Sequence, residues 1–175
     1  MKQMGLKCRS MKGYKTTTDS NHNEPVAPNR VWVSDITYAW IGESWYYLSI
    51  FLDLFSREIV GWDLSPSLNR DSVIRALHRS LINRCPKVGL MIHSDRGIPY
   101  ASCEFRQILK GHKFVQSMSR KGNCWDNAVA GSFFYTIKTQ LIHHCGFKTV
   151  KEARRTLFEY IDLLQSKEEI FNQWV

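Results

Sequence analysis

The sequence predicts a mixed α/β fold, a five-stranded sheet with helices on both faces. Three observations lead there. Three runs rich in β-branched and aromatic residues, 31–40, 45–53 and 58–64, are joined by short turns, the pattern of an antiparallel meander. Segments with apolar residues at helical spacing then alternate with two short apolar runs. The chain has 175 residues, 43% of them hydrophobic, which is enough for one domain with a real core and an appendage.

Residues 1–30 are polar and basic, show no period and end in two prolines. They read as a linker or arm suited to lie along something negative. Order is expected from Val31. Gly42 and Glu43 mark the first turn, and residues 54–57 make the second. Asn69 or Arg70 opens a helix through Asp71, with Val73, Ile74, Leu77 and Leu81 on one face, and Pro86 ends it. Residues 88–93 read as a buried fourth strand. A helix over 102–109 stops near Gly111, and 113–116 is a short fifth strand.

A loop over 118–122 leads to a helix with Asp126 and Asn127 as caps and Ala130, Phe133, Phe134 and Ile137 at helical spacing. Gly131 sits inside that helix, where glycine costs about 1 kcal/mol relative to alanine. Either another backbone approaches closely there, or glycine stands where another residue had a job. The last helix, 149–164, has Thr149 as cap and Ala153, Leu157, Tyr160, Ile161 and Leu164 facing inward.

Five cysteines with no CxxC pair argue for a reducing compartment, against a disulfide framework and against a zinc ribbon. His143, His144 and Cys145 are adjacent and cannot easily converge on one ion, so they read as a solvated turn. No apolar run is long enough to span a bilayer, and no apolar segment follows the basic N-terminus to make a secretory signal. The expected location is the cytoplasm, without membrane contact. The net charge of +8 suggests a polyanionic partner, most often nucleic acid.

Asp35 lies mid-strand and shares a face with Val31, Val33 and Thr37. A carboxylate among apolar neighbours is costly unless paired or bound to a metal. Asp95 follows the fourth strand in His93-Ser-Asp-Arg-Gly97, where a site in an α/β sheet is expected, although an aspartate turn before glycine reads the same way. Two aspartates at adjacent strand ends could hold one Mg²⁺ or Mn²⁺. Phosphoryl transfer on nucleic acid commonly uses two such ions about 3.5–4 Å apart, and holding both normally takes a further carboxylate. Asp53 is expected to fix the 54–57 turn through local hydrogen bonds, Asp63 to end a strand and Asp126 to cap a helix. Tyr135 and Lys138 share a helical face with Gly131. With Arg120 and Lys121 in the preceding loop, that face could track a phosphate backbone, and Trp125 could stack on a base or be buried.

Four motifs carry a resemblance: Trp32-Val-Ser-Asp-Ile-Thr-Tyr38, Leu52-Asp-Leu-Phe-Ser-Arg-Glu-Ile-Val-Gly-Trp62, His93-Ser-Asp-Arg-Gly97 and Ser117-Met-Ser-Arg-Lys-Gly-Asn-Cys-Trp-Asp-Asn-Ala128. In this order and spacing they resemble the orfB transposases of bacterial insertion sequences, whose integrase core is similar to that of retroviral integrases. The resemblance runs from about residue 29 to 162. It implies an RNase H-like integrase core over 31–165, with a basic linker before it and a divergent tail over 166–175. Residues 5–29 are similar to the linker that follows a helix-turn-helix region in the family, a region this chain is expected to lack.

The resemblance also implies a Mg²⁺- or Mn²⁺-dependent reaction in which water, then a DNA 3′-hydroxyl, attacks a phosphodiester. The implied partners are DNA, as transposon ends and target, and other transposase subunits or copies of this chain, at the bacterial nucleoid. The family pattern is Asp, Asp, then Glu with 35 residues between the last two. Asp35 and Asp95 match the first two, and the third position holds Gly131 between matching flanks. The expectation is a DNA integration and recombination enzyme with impaired catalysis, one ion being weakly held and the second poorly. The entry to the first strand is shorter than in the family, and the chain ends in Leu163-Leu-Gln-Ser-Lys-Glu-Glu-Ile-Phe-Asn-Gln-Trp-Val175 in place of a Tyr-Asn-rich, Arg/His-rich tail. The rival expectation is a non-enzymatic fragment that binds DNA or transposase subunits and interferes with an active enzyme.

Overall fold

Five strands form one sheet in the order β3-β2-β1-β4-β5. The computed structural model describes residues 31–119 and 128–172 of the chain. The basic arm over 1–30, Arg120, Lys121, Trp125, Asp126, Asn127 and the last three residues of the tail lie outside the described residues. Strands β1 (Val31–Ile41), β2 (Ser44–Asp53) and β3 (Ile59–Ser65) pair antiparallel, as the meander predicts. Gly42, at φ +60, turns the first hairpin, a backbone angle that glycine reaches without strain. β4 (Met91–Ser94) runs parallel to β1, and β5 (Val115–Met118) runs parallel to β4.

The helices are α1 (Arg70–Arg84), α2 (Ile98–Ala101), α3 (Cys103–Gly111), α4 (Ala128–Ile137), α5 (His143–Cys145) and α6 (Val150–Asn172). A π-helical turn, Lys138–Ile142, joins α4 to α5. Asn69 caps α1 by accepting the Ser72 N–H at 3.0 Å, and Ser102 caps α3 by accepting the Phe105 N–H at 3.3 Å. Thr149 does the same for α6 at Glu152, 3.2 Å away. Before Pro86, which cannot continue a helix, Cys85 leaves α1 in a left-handed conformation. α6 runs to Asn172 rather than stopping near residue 164, and no proline or glycine interrupts that stretch. None of the helices among the described residues is long and apolar enough to cross a membrane.

Side-chain alternation in the sheet builds a core on each face. Trp32, Phe51 and Ile92 pack with Val73 and Leu77 of α1 and Phe105 of α3. On the other face, Val33, Ile50 and Leu52 pack with Phe134 and Ile137 of α4 and Leu157 of α6. Gly61 permits close contact between β3 and α1. A Cβ there would lie 2.5 Å from the Ala76 carbonyl oxygen and 2.6 Å from the Ser80 nitrogen, both fixed backbone atoms.

β3 is an edge strand, and three side chains from the flanking helices meet it. Asn83 donates to the Val60 carbonyl at 3.0 Å and Arg79 to the Trp62 carbonyl at 2.6 Å. Arg154 of α6 donates to the Leu64 carbonyl.

Candidate active site

The register between β1 and β4 brings two carboxylates together. Ser34 faces Ser94 in the last pair between these strands. Asp35 is the next residue of β1, and Asp95 is the first residue beyond β4. Both line one cleft of about 680 Å³, together with Tyr38, Tyr47, Arg70 and Arg96. Asp35 lies two residues beyond Val33, so alternation turns it toward the face that α4 covers.

Each carboxylate uses one oxygen on neighbouring backbone. Asp35 Oδ1 accepts the Ile36 N–H at 2.8 Å, and Asp95 Oδ1 accepts the Gly97 N–H at 2.9 Å. The turn role open to Asp95 in the sequence is therefore real, and it coexists with a place in the cleft. Burial pushes the Asp35 carboxyl up from 3.8 to about 6. The Ile36 hydrogen bond opposes this rise, and the charge of Asp95 adds to it. The two carboxylates thus repel one another across the cleft, an arrangement that a hard cation relieves. Oxygen donors of this kind fit Mg²⁺ or Mn²⁺. No group of three or more His, Cys, Asp or Glu that could hold an ion is found among the described residues, which contribute Asp35 and Asp95 to the cleft. His143, His144 and Cys145 form one exposed helical turn.

Gly131 is exposed on α4. A Cβ there would meet nothing within 4 Å, and its φ is not in the left-handed region. Neither close packing nor backbone conformation accounts for glycine at this position. Two turns along the same face, Lys138 places its Nζ 4.1 Å from the ring centroid of Tyr38. α4 itself packs on the face toward which Asp35 turns, through Ala130, Phe134 and Ile137, whereas Tyr38, an odd number of residues from Asp35, belongs to the opposite face. Tyr135, on that face, is 73% exposed and open to a partner.

Other groups at the site carry no signal in the sequence. Tyr100 is buried, and its hydroxyl shares a 2.9 Å hydrogen bond with Ser34 Oγ. Burial pushes its ionisation up, the Ser34 bond opposes this, and the charges of Asp35 and Asp95 add to the rise. Tyr100 therefore remains a neutral phenol beneath the two carboxylates. Arg96 donates Nε to the Ser119 carbonyl at 2.8 Å.

Asp53 and Asp63 stand away from the cleft. Asp53 accepts the Phe55 N–H at 2.8 Å, which is the local turn bond expected of it, and also the Trp32 indole N–H at 3.1 Å. Asp63 needs a correction. It lies inside β3 rather than at its end, is 1% exposed, and accepts from Arg75 and Arg79 at 2.8 Å each. Arg154 approaches the same carboxylate at 3.8 Å. Burial without partners would be costly, and these arginines from two helices supply them.

Comparison with known proteins agrees with this architecture. The integrase core domain family matches residues 25–124, and a second integrase core domain description matches residues 131–167. The insertion element IS600 uncharacterized 31 kDa protein of Shigella sonnei is 36% identical over 179 residues, which cover 95% of this chain and 66% of that protein. Transposase InsF for insertion sequence IS3A of Escherichia coli (strain K12) is 33% identical over 174 residues, covering 93% of this chain and 60% of that protein. The chain thus spans less than two thirds of the length of these relatives. Among solved structures, the simian T-cell lymphotropic virus intasome in complex with PP2A regulatory subunit B56 gamma aligns with a TM-score of 0.59 at 21% identity, over 64% of this chain and 39% of that one. The HTLV-2 integrase catalytic core domain in complex with magnesium, in its dimeric form, aligns with a TM-score of 0.56 at 16% identity, over 74% of this chain and 83% of that one. These likenesses show the fold, which is RNase H-like.

Proposed function

This chain belongs to the integrase core domain family, and from that premise we propose that the Asp35–Asp95 cleft is a transposase's centre for DNA cleavage and strand transfer, impaired here by glycine at position 131. The observation that carries the proposal is the surroundings of Gly131. Among the described residues nothing lies within 4 Å of a Cβ placed there, so no packing need among them explains it, and it stands on the helix over the face toward which Asp35 turns.

Asp35 and Asp95 supply carboxylate oxygens for Mg²⁺ or Mn²⁺ beside the scissile phosphate. The ion's chemistry, when bound, is to polarise the phosphodiester and lower the pKa of an attacking water. Without an ion, the Asp35 value near 6 makes its ionised state dominant only above about pH 6, so protons compete with an ion for this carboxylate below that pH. In the first step a water oxygen bonds to phosphorus, the bond from phosphorus to the 3′ oxygen breaks, and a free 3′-hydroxyl results. In the second, that hydroxyl oxygen attacks a target phosphodiester in the same way. Two carboxylates suffice for one weakly held ion, while a second would lack its acidic ligand. Losing such a group commonly removes several orders of magnitude in rate. The partner class is DNA, consistent with a net charge of +8, and the proposed setting is the bacterial nucleoid, in an oligomer with other transposase subunits.

The test is Mn²⁺- and Mg²⁺-dependent nicking and strand transfer on pre-cut transposon-end DNA, with this chain beside its Gly131→Glu and Gly131→Gln variants. Activity in Gly131→Glu alone is the expected result. Equal activity in the parent chain would refute the role assigned to position 131. Among the described residues no third acidic group joins Asp35 and Asp95, which also favours a second reading, a non-enzymatic fragment that binds DNA or transposase subunits. Salt-dependent DNA binding with no nicking in any variant would select it.

A further inference from the structure

The tip of the β1–β2 hairpin carries an aromatic ridge. Tyr38 pairs with Tyr47 and Trp40 with Trp45 across the strands, so the four rings stand in two rows on one face. The rows are roughly 7 Å apart, twice the rise per residue of a strand. The opposite face of the hairpin is filled by Ala39, Ile41 and Leu48 in the α4–α6 core. The ridge face continues the side of the sheet that α1 covers further along, where Ser49 of β2 bonds Ser72 of α1 at 2.9 Å. Beyond that point the rings are left open: Tyr38 is 56% exposed, and Trp40 and Trp45 are each 50% exposed. Trp45 meets Tyr38 and Trp40 edge-on, with ring centroids 5.2 Å and 5.0 Å apart.

A cluster of half-exposed aromatic rings marks a recognition surface more often than a structural one. Three features identify the occupant as nucleic acid. The ridge borders the cleft, whose lining includes Tyr38 and Tyr47 as well as Asp35 and Asp95. A cation sits at the junction, with Lys138 Nζ 4.1 Å above the Tyr38 ring centroid. The chain as a whole carries a net charge of +8. A polymer with a phosphate at the carboxylates and its neighbours near Lys138 would lay its next bases on these rings. Paired bases keep their faces inside the duplex, so the rings suit unpaired ones.

We infer that the Tyr38–Trp40–Trp45 ridge is a stacking platform for unpaired bases of the DNA strand whose phosphate occupies the Asp35–Asp95 cleft. The inference rests on the DNA reading of that cleft, and its test separates the two. Lys138 supplies charge at the boundary between phosphate and base contacts, and the tryptophans supply stacking that salt does not screen.

The experiment uses a single-stranded oligodeoxynucleotide carrying the fluorescent base 2-aminopurine and a duplex of the same sequence, in Ca²⁺ so that the carboxylates can accept a phosphate, with a denaturing gel confirming that the DNA stays intact. Dissociation constants are measured across a salt series for the parent chain, Trp45→Leu, Trp40→Leu and Trp45→Phe. The expected result is quenching of 2-aminopurine in the parent complex and about 5- to 100-fold weaker single-strand binding in the two leucine variants. The salt slope should not change, duplex binding should shift little, and Trp45→Phe should recover most of the affinity. Parent and leucine variants binding the single strand equally, while still binding DNA, would overturn the ridge and leave the DNA reading standing. No binding of either DNA form by any of these proteins would remove the DNA reading and the ridge with it. A change in oligomeric mass by light scattering, with DNA affinity unchanged, would make the ridge a subunit contact and overturn the inference. Far-UV circular dichroism and a cooperative thermal transition confirm that each variant is folded.

Discussion

Replacing Asp35 by asparagine should stabilise the metal-free protein at neutral pH. Burial is the main cause that lifts the Asp35 carboxyl from 3.8 to about 6. The ionised form is therefore the costly one in the folded chain. Between those two values the folded state holds a proton that the unfolded state has released, so stability falls as pH rises through that window. At about 1.4 kcal/mol per pH unit, the loss amounts to about 3 kcal/mol once the window is passed. Asparagine has the same shape, keeps a carbonyl oxygen for the Ile36 N–H now 2.8 Å from Asp35, and brings no charge to desolvate. Among the described residues, charged neighbours do not alter the sign. Asp95 repels Asp35, Arg70 pairs with Asp71 and Glu104 at 3.5 and 3.3 Å, and Arg96 is bonded to the Ser119 carbonyl. Asp35→Asn should therefore gain up to about 3 kcal/mol at pH 7.5, equivalent to roughly 6–12 °C in Tm for a domain of this size, and almost nothing at pH 3.5. Thermal denaturation of both proteins in EDTA from pH 3.5 to 7.5 measures this. A difference independent of pH, or a loss of stability at neutral pH, would refute the desolvated placement of Asp35.

Mn²⁺ at saturating concentration should raise the Tm of the parent chain at pH 7.5, with a smaller rise at pH 5 where protons compete for Asp35, and Asp95→Asn should abolish the effect; scanning fluorimetry with and without EDTA reads it out. Gly131→Ala should stabilise by up to about 1 kcal/mol, because its Cβ meets open space within a helix, and should leave nicking unrestored; urea titration and the nicking assay together check this. Gly61→Ala should destabilise by about 1–3 kcal/mol or more, since its Cβ would collide with α1 backbone, and a urea midpoint unchanged from the parent would contradict the close contact of β3 with α1.

Local pattern made the meander and the long helices legible. The caps Asn69, Ser102 and Thr149 sit where their residue types suggest. The short parallel strands were harder to place. β4 was expected at 88–93 but forms over Met91–Ser94, because Gly89 turns at φ +86 and leaves Val88 71% exposed. β5 was expected at 113–116 but forms over Val115–Met118, after Lys113 turns at φ +57. An apolar run shows that a strand is near but does not show where a turn releases it. α2 is four residues long, too short to display a helical period. At the site, Asp35 stood out as a carboxylate within a strand and Asp95 only weakly, as a strand-end aspartate that a turn before Gly97 would also explain, and their adjacency depends on the parallel pairing of β1 with β4, which local pattern does not encode. Asp63 could not be understood from its neighbours in sequence, because its arginine partners lie on α1 and α6.

The bonds along the outer side of β3 have a consequence for solubility. A free sheet edge is a template on which another chain can add a strand and start an aggregate. Here the carbonyls of Val60, Trp62 and Leu64 alternate along that edge, and Asn83, Arg79 and Arg154 each take one. An incoming strand would have to displace two arginines and an amide, and to release Asp63 from its partners, before forming a ladder. The clamp that binds α1 and α6 to the sheet therefore also closes this edge of the protein to fibril-like growth.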